Sequence, residues 1–93
     1  MDWTERSAEA TFDLHGQSVV EAAGSAEHFL RVQARVRPGR VVRLITGRGR
    51  AGGGAPIRTR VGTLLRNLKT RGSLVQDFVL EESDGSFLIL LGR

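Results

Sequence analysis

Two short segments of this chain hold residue types that could handle protons and phosphate. The first is Asp13-Leu14-His15-Gly16. On an extended strand Asp13 and His15, two positions apart, project to one face, within reach of each other or of one substrate. An imidazole there can move a proton, and a neighbouring carboxylate can orient it or favour its cation. Two readings are open on these residues alone: an acid–base pair, or a histidine packed at a strand end while Asp13 holds loop N–H groups.

The second segment is Thr46-Gly47-Arg48-Gly49-Arg50, which opens a run with five glycines in the eight residues 47–54. Glycine lets backbone approach a phosphate closely, a following helix N-terminus presents unpaired N–H groups, and arginine adds charged forks. The alternative is a loop with solvated arginines. A nucleotide P-loop is excluded because the Gly-Lys-Ser/Thr ending is missing, and Gly47-Arg48-Gly49 is too short for the dinucleotide fingerprint.

The surrounding residues predict the elements that would carry both segments. Residues 1–9, mostly polar with Trp3 as the one large apolar side chain beyond Met1, read as a loose lead-in to one domain over 10–93. Residues 10–14 mix β-branched and apolar types and stop at Gly16, which predicts a first strand. Ser18 followed by Glu21 is a capping-box pattern. From there Val19, Ala22, Ala23, Ala26 and Leu30 form one helical stripe that Pro38-Gly39 ends.

Residues 40–46 predict a second strand. After Pro56, which suits a first helical turn, Ile57, Val61, Leu64, Leu65 and Leu68 repeat with helical period up to Gly72. Residues 74–81 and 87–91 predict two more strands, joined by a turn containing Asp84-Gly85, a hairpin signal. The order β-α-β-α-β-β implies an α/β fold in the α+β two-layer sandwich sense, with a mixed four-stranded sheet and two helices. Residues 87–91 lack polar alternation, so that strand either is central with both faces covered or turns one face to an oligomer contact.

Charge separates along the chain. Residues 31–71 hold twelve basic side chains and no acid, a segment charge of +12, whereas the remainder sets two arginines against ten acids, −8, leaving +4 overall. An acid-free basic segment favours a polyanionic partner, first of all nucleic acid backbone. Thirteen of the fourteen basic residues are arginine, a bias that nucleotide composition can produce, but that bias does not remove acids from one contiguous stretch.

Other classes fall away on composition. With no cysteine, disulfide frameworks, thiolate zinc sites and cysteine nucleophiles are impossible. One His beside one Asp is too few ligands for a metal site, although Asp13 and substrate oxygens could share a Mg²⁺. His28 sits mid-helix and reads as structural or surface. No apolar run follows a basic stretch at the start and none is long enough to span a membrane, so a cytoplasmic protein, a monomer or weak homodimer, is expected.

Taken together, residues 12–16, then residues 45–49 about thirty positions on, then Gly54-Ala55-Pro56-Ile57-Arg58 and Val61, resemble the Smr (small MutS-related) domain in its stand-alone form. The resemblance spans roughly residues 11–93, nearly the whole chain. It implies a fold like the C-terminal domain of translation initiation factor 3. Nucleic acid binding, of DNA or RNA, is implied as well, and in many members nicking or cleaving endonuclease activity, some of them acting on ribosomes or ribosome-bound messenger RNA.

The family's Asp-Leu-His motif falls on Asp13, Leu14 and His15, and its Thr-Gly-x-Gly motif on Thr46, Gly47, Arg48 and Gly49. The leading expectation is therefore phosphodiester cleavage with His15 as general acid or base and Asp13 orienting it, while Thr46, Gly47, Arg48, Gly49 and Arg50 hold the phosphate through loop amides and guanidinium groups and Arg58 adds a contact from the start of the second helix. The sequence departs from the family after the second glycine, where Arg50-Ala51-Gly52 replaces polar residues found in many stand-alone members. That departure bears on cleavage rather than on phosphate binding, and it leaves a non-catalytic adaptor as the competing expectation.

Overall fold

The computed structural model describes residues 2–47 and 54–93. Two helices and four strands follow one another as β1 (Thr11–Asp13), α1 (Val19–Val36), β2 (Val41–Ile45), α2 (Gly54–Arg71), β3 (Val75–Leu80) and β4 (Ser86–Leu91). The order, the mixed sheet and the two helices are those the sequence predicts.

Connection length sets the strand directions. β1 and β2, joined through α1, are parallel, whereas β3 and β4, joined by a short turn, are antiparallel. β4 inserts between β2 and β3, so the sheet runs β1-β2-β4-β3. This placement answers the open question about residues 87–91: the strand is central. Phe87, Ile89 and Leu91 join the core under the helices, and Leu88 on the opposite face is only 4% exposed. Each such apolar side chain stabilises the fold by about 1.5–3 kcal/mol relative to exposure.

Both helices contribute to that one core and therefore cover the same face of the sheet. α1 starts as predicted, with Glu21 N–H donating to Ser18 Oγ at 3.1 Å and Ser18 N–H donating to Glu21 Oε1 at 2.9 Å. Its stripe is shorter than the period suggests. Ala22, Ala26 and Leu30 are buried, but Val19, at the first helical position, lies ahead of the point where α1 meets the core and stays exposed. α2 begins two residues before Pro56, which still falls within the first turn, where a missing N–H costs no helical bond. Its predicted apolar set, Ile57, Val61, Leu64, Leu65 and Leu68, is buried throughout.

The lead-in is more ordered than its composition suggests. Trp3–Glu5 form a 3-10 turn with Asp2 and Glu5 as a capping box, and the Trp3 indole N–H donates to Asp77 Oδ2 at 3.3 Å. Glu9 N–H meanwhile donates to Val41 O at 2.8 Å. The segment thus reaches from beside β2 to β3 at the far edge of the sheet. Its anchors lie tens of residues away in sequence, which is why a local reading finds nothing to hold it. Among the described residues no helix is long and apolar enough to cross a membrane.

Candidate functional site

The carboxyl ends of the parallel strands β1 and β2 lie side by side, with Asp13 in register with Ile45 and Leu14 N–H donating to Ile45 O at 2.7 Å. Residues leaving those two strands are therefore neighbours at one edge of the domain, where ligands of α/β sheets bind. Both sequence segments start there.

In the first segment the three side chains separate by role. Leu14 is fully buried and pins the turn to the core, while Asp13 and His15 face solvent with side chains 48% and 72% exposed. Asp13 Oδ1 accepts from His15 N–H at 3.0 Å and meets His15 Nδ1 at 2.8 Å. A carboxylate oxygen only accepts, so this contact puts a proton on Nδ1 and leaves Nε2 turned outward. The His15 N–H, and after it the ring, hold the Asp13 carboxyl below its usual range. Asp13 therefore does what both sequence readings asked of it, holding a loop N–H and orienting the imidazole. Gly16 follows at φ +86°, a left-handed conformation that turns the chain away toward the Ser18 cap.

The second segment differs from expectation at its base. Thr46 is fully buried, and its N–H at 2.8 Å, its hydroxyl at 3.3 Å and the Gly47 N–H at 3.0 Å all converge on the carbonyl of Gly85. These donors, expected to face a phosphate, instead bolt the start of the loop to the turn between β3 and β4. Gly47 takes φ +89° to leave that anchor. Arg48, Gly49 and Arg50, the remaining members of the proposed phosphate cradle, lie outside the described residues. Arg58, from the second turn of α2, donates through Nη1 to Asp84 O at 3.0 Å and so reaches the same hairpin.

Sequence reasoning missed this hairpin as a part of the site. The Asp84-Gly85 signal marked a turn, but the acceptor role of its carbonyls is a tertiary property with no local signature. Asp84 adopts φ +60°, which aspartate tolerates better than most residues. The turn is braced in addition by Glu81, whose carboxylate takes a forked bond from Arg43 on β2, Nε to Oε1 at 2.7 Å and Nη2 to Oε2 at 3.2 Å, and a bond from Ser86 Oγ at 2.8 Å. Those contacts, the Arg43 fork foremost, lower the Glu81 carboxyl's pKa.

The electrostatics of the basic segment are also changed by folding. Acids from outside it come back onto it: Glu27 pairs with Arg31 at 2.6 Å, Glu9 with Arg37 at 3.7 Å and Arg40 at 3.3 Å, Glu81 with Arg43, and Asp77 with Lys69 at 2.9 Å. Five of the ten described basic residues in that segment thus lie against four carboxylates, Arg37 and Arg40 sharing Glu9. His28 is exposed on α1, in keeping with its reading as a surface residue. Among the described residues no three His, Asp or Glu gather in a way that could hold a metal ion.

The family model described as Smr domain matches residues 12–92. The crystal structure of the Smr domain of Thermus thermophilus MutS2 is similar to this chain at a TM-score of 0.71 and 25% identity, covering 90% of this chain and 99% of that one. No match was found among curated proteins.

Proposed function

The chain belongs to the Smr domain family, a nucleic-acid-binding and nuclease-like module, and from that membership we propose that it cleaves phosphodiester bonds with His15 as the proton-transfer group. The observation that carries this reading is the 2.8 Å contact of His15 Nδ1 with Asp13 Oδ1 at the strand edge where the glycine–arginine loop departs. With Nδ1–H held on the carboxylate, Nε2 offers its lone pair to the attacking water or hydroxyl. As the nucleophile's oxygen bonds to phosphorus, its proton passes to Nε2 and the imidazolium is stabilised by Asp13. The ester P–O bond breaks, the departing oxygen takes a proton from solvent, and exposed His15 returns its own proton there.

Arg48, Arg50 and the loop amides hold the phosphate and offset the charge that develops on it. Thr46 and Gly47 act one step removed, by fixing where the loop begins. Asp13 is also the group to which a Mg²⁺ shared with substrate oxygens would bind.

A second reading, a non-catalytic adaptor that docks on DNA, RNA or a ribosomal surface, draws on the openness of the pair, since water has free access to a His15 side chain that is 72% exposed. Plasmid nicking and RNA cleavage by purified protein, with structured DNA and single strands alongside and with Mg²⁺ present or chelated, separate the two. Cleavage that His15→Ala removes while affinity persists supports the enzyme. Binding without cleavage of any substrate supports the adaptor.

A further inference from the structure

Folding leaves the basic charge of residues 31–71 unevenly distributed. Arg31 pairs with Glu27, Arg37 and Arg40 share Glu9, Arg43 pairs with Glu81 and Lys69 with Asp77, whereas among the described residues of the segment Arg35 on α1 and Arg60, Arg66 and Arg71 on α2 have neither an ion pair nor a side-chain hydrogen bond. α2, which carries three of these four, has no acidic residue anywhere along it. Their positions relative to its buried face are informative. Ile57, Val61, Leu64, Leu65 and Leu68 point to the core, and at 100° per residue Thr59, Thr63, Arg66 and Thr70 fall on the opposite crest. Arg60, Asn67 and Arg71 fall within about 40° of one another along the α1 side of the helix, between the crest and the buried face, and there Arg60 lines a groove with Gly24 and Glu27, the latter already paired with Arg31. Lys69 flanks the other side and is held by Asp77.

Two of the three threonines do not compete for a ligand on this face. Thr63 Oγ1 donates to Thr59 O at 3.1 Å and Thr70 Oγ1 to Arg66 O at 2.9 Å, so both hydroxyl protons are turned into the helix backbone. What remains outward is three guanidinium groups, the Asn67 amide and the Thr59 hydroxyl. Nor does the protein offer a stacking platform, since Phe12 stacks on Phe29, Phe78 packs edge-on to Phe87 and Trp3 is tied to Asp77. Charge without aromatics suits a sugar–phosphate backbone and not splayed bases.

We propose that the outer face of α2 is a backbone track that carries nucleic acid away from the Asp13–His15 edge, with Arg60, Arg66 and Arg71 as its phosphate contacts. This rests on the reading of the domain as a nucleic-acid binder. Arg58, in the second turn of α2, reaches the Asp84 carbonyl beside the Gly85 carbonyl that anchors Thr46, so the track starts at the end of β2 that adjoins Asp13. The eleven steps from Arg60 to Arg71 rise about 16 Å, room for about one phosphate contact per arginine.

The test is equilibrium binding of labelled DNA and RNA, as duplexes and single strands, across a salt series. It compares the wild type with Arg60→Gln/Arg66→Gln/Arg71→Gln and with Arg31→Gln/Arg37→Gln/Arg40→Gln, each checked for folding by circular dichroism. The α2 triple is expected to lose at least about tenfold in affinity at low salt. The slope of log affinity against log salt should shrink by about 2 to 3, near 0.9 per lost phosphate contact on duplex DNA. The second triple, built on arginines already paired, should keep both. If the wild type binds and the α2 triple binds equally with the same slope, the track is wrong and the face belongs to an acidic protein partner instead. If the wild type binds no nucleic acid even at low salt, the reading beneath the track fails with it.

Discussion

Asp13 Oδ1 accepts two hydrogen bonds from one residue, the backbone N–H of His15 at 3.0 Å and its Nδ1 at 2.8 Å. The first bond fixes the turn and the second fixes the ring, so a single carboxylate oxygen sets both the path of the chain and the tautomer at its tip. Removing it should separate these effects from binding. Asp13→Ala is expected to slow cleavage by at least about tenfold, short of the loss on removing His15 itself. Affinity for nucleic acid should stay, because the carboxylate adds negative charge to a phosphate site. A gel-based cleavage time course alongside a binding titration checks both.

Leu14, between those two residues, has the opposite profile. It is fully buried, so Leu14→Ala should cost about 2–5 kcal/mol of stability through lost packing and the cavity left behind. Urea denaturation should show that loss, and any change in cleavage should follow the folded fraction.

The Arg43–Glu81 fork links β2 to the base of the hairpin that holds Thr46 and Gly47. Both side chains are partly exposed, so Arg43→Ala is expected to cost only about 1 kcal/mol, a fall of about 4–8 °C in Tm for a domain of this size. The pH dependence has a definite sign. Because folding lowers the Glu81 carboxyl's pKa, its contribution is complete above the unfolded value, about 4.3 for glutamate, and is lost as pH falls through the lower folded value. Wild type and Glu81→Gln should therefore differ in denaturation midpoint near pH 6 and converge in strong acid.

Asp84 holds φ +60° at the crown of that hairpin. Asn or Gly tolerates this conformation, whereas Asp84→Val should cost about 1–2 kcal/mol. By displacing the Asp84 and Gly85 carbonyls, the valine variant should also weaken nucleic acid binding at temperatures where it remains folded. Asp84→Asn should leave Tm and affinity unchanged in the same thermal melt and titration.

The parts of this fold that the sequence announces are those built from neighbours in the chain. Ser18 and Glu21 are three residues apart and their reciprocal cap forms as the pattern demands, and the apolar period of α2 translates residue for residue into burial. What local pattern does not contain is which strand β4 joins, or which distant acid meets which arginine. Glu9 and Arg40 are far apart in sequence, and so are Arg43 and Glu81. A charge asymmetry that looks like +12 against −8 is consequently offset in part by tertiary pairing with four carboxylates, and Arg60, Arg66 and Arg71 on α2 and Arg35 on α1 keep no ion pair. In the candidate site Asp13 and His15 are found in contact, as their spacing allowed. For Thr46 and Gly47 the motif shows only residue type and suggests phosphate donors, whereas the carbonyl that engages them, Gly85, lies 39 residues beyond Thr46.

The central claim is that His15, oriented by Asp13, transfers the proton in phosphodiester cleavage. Its most direct test is the single-turnover cleavage rate of His15→Ala against wild type on the best substrate of the DNA and RNA panel, with affinity measured on the same preparations. The account predicts a rate lower by about 10²- to 10⁴-fold at unchanged affinity. Cleavage by His15→Ala at the wild-type rate would contradict it.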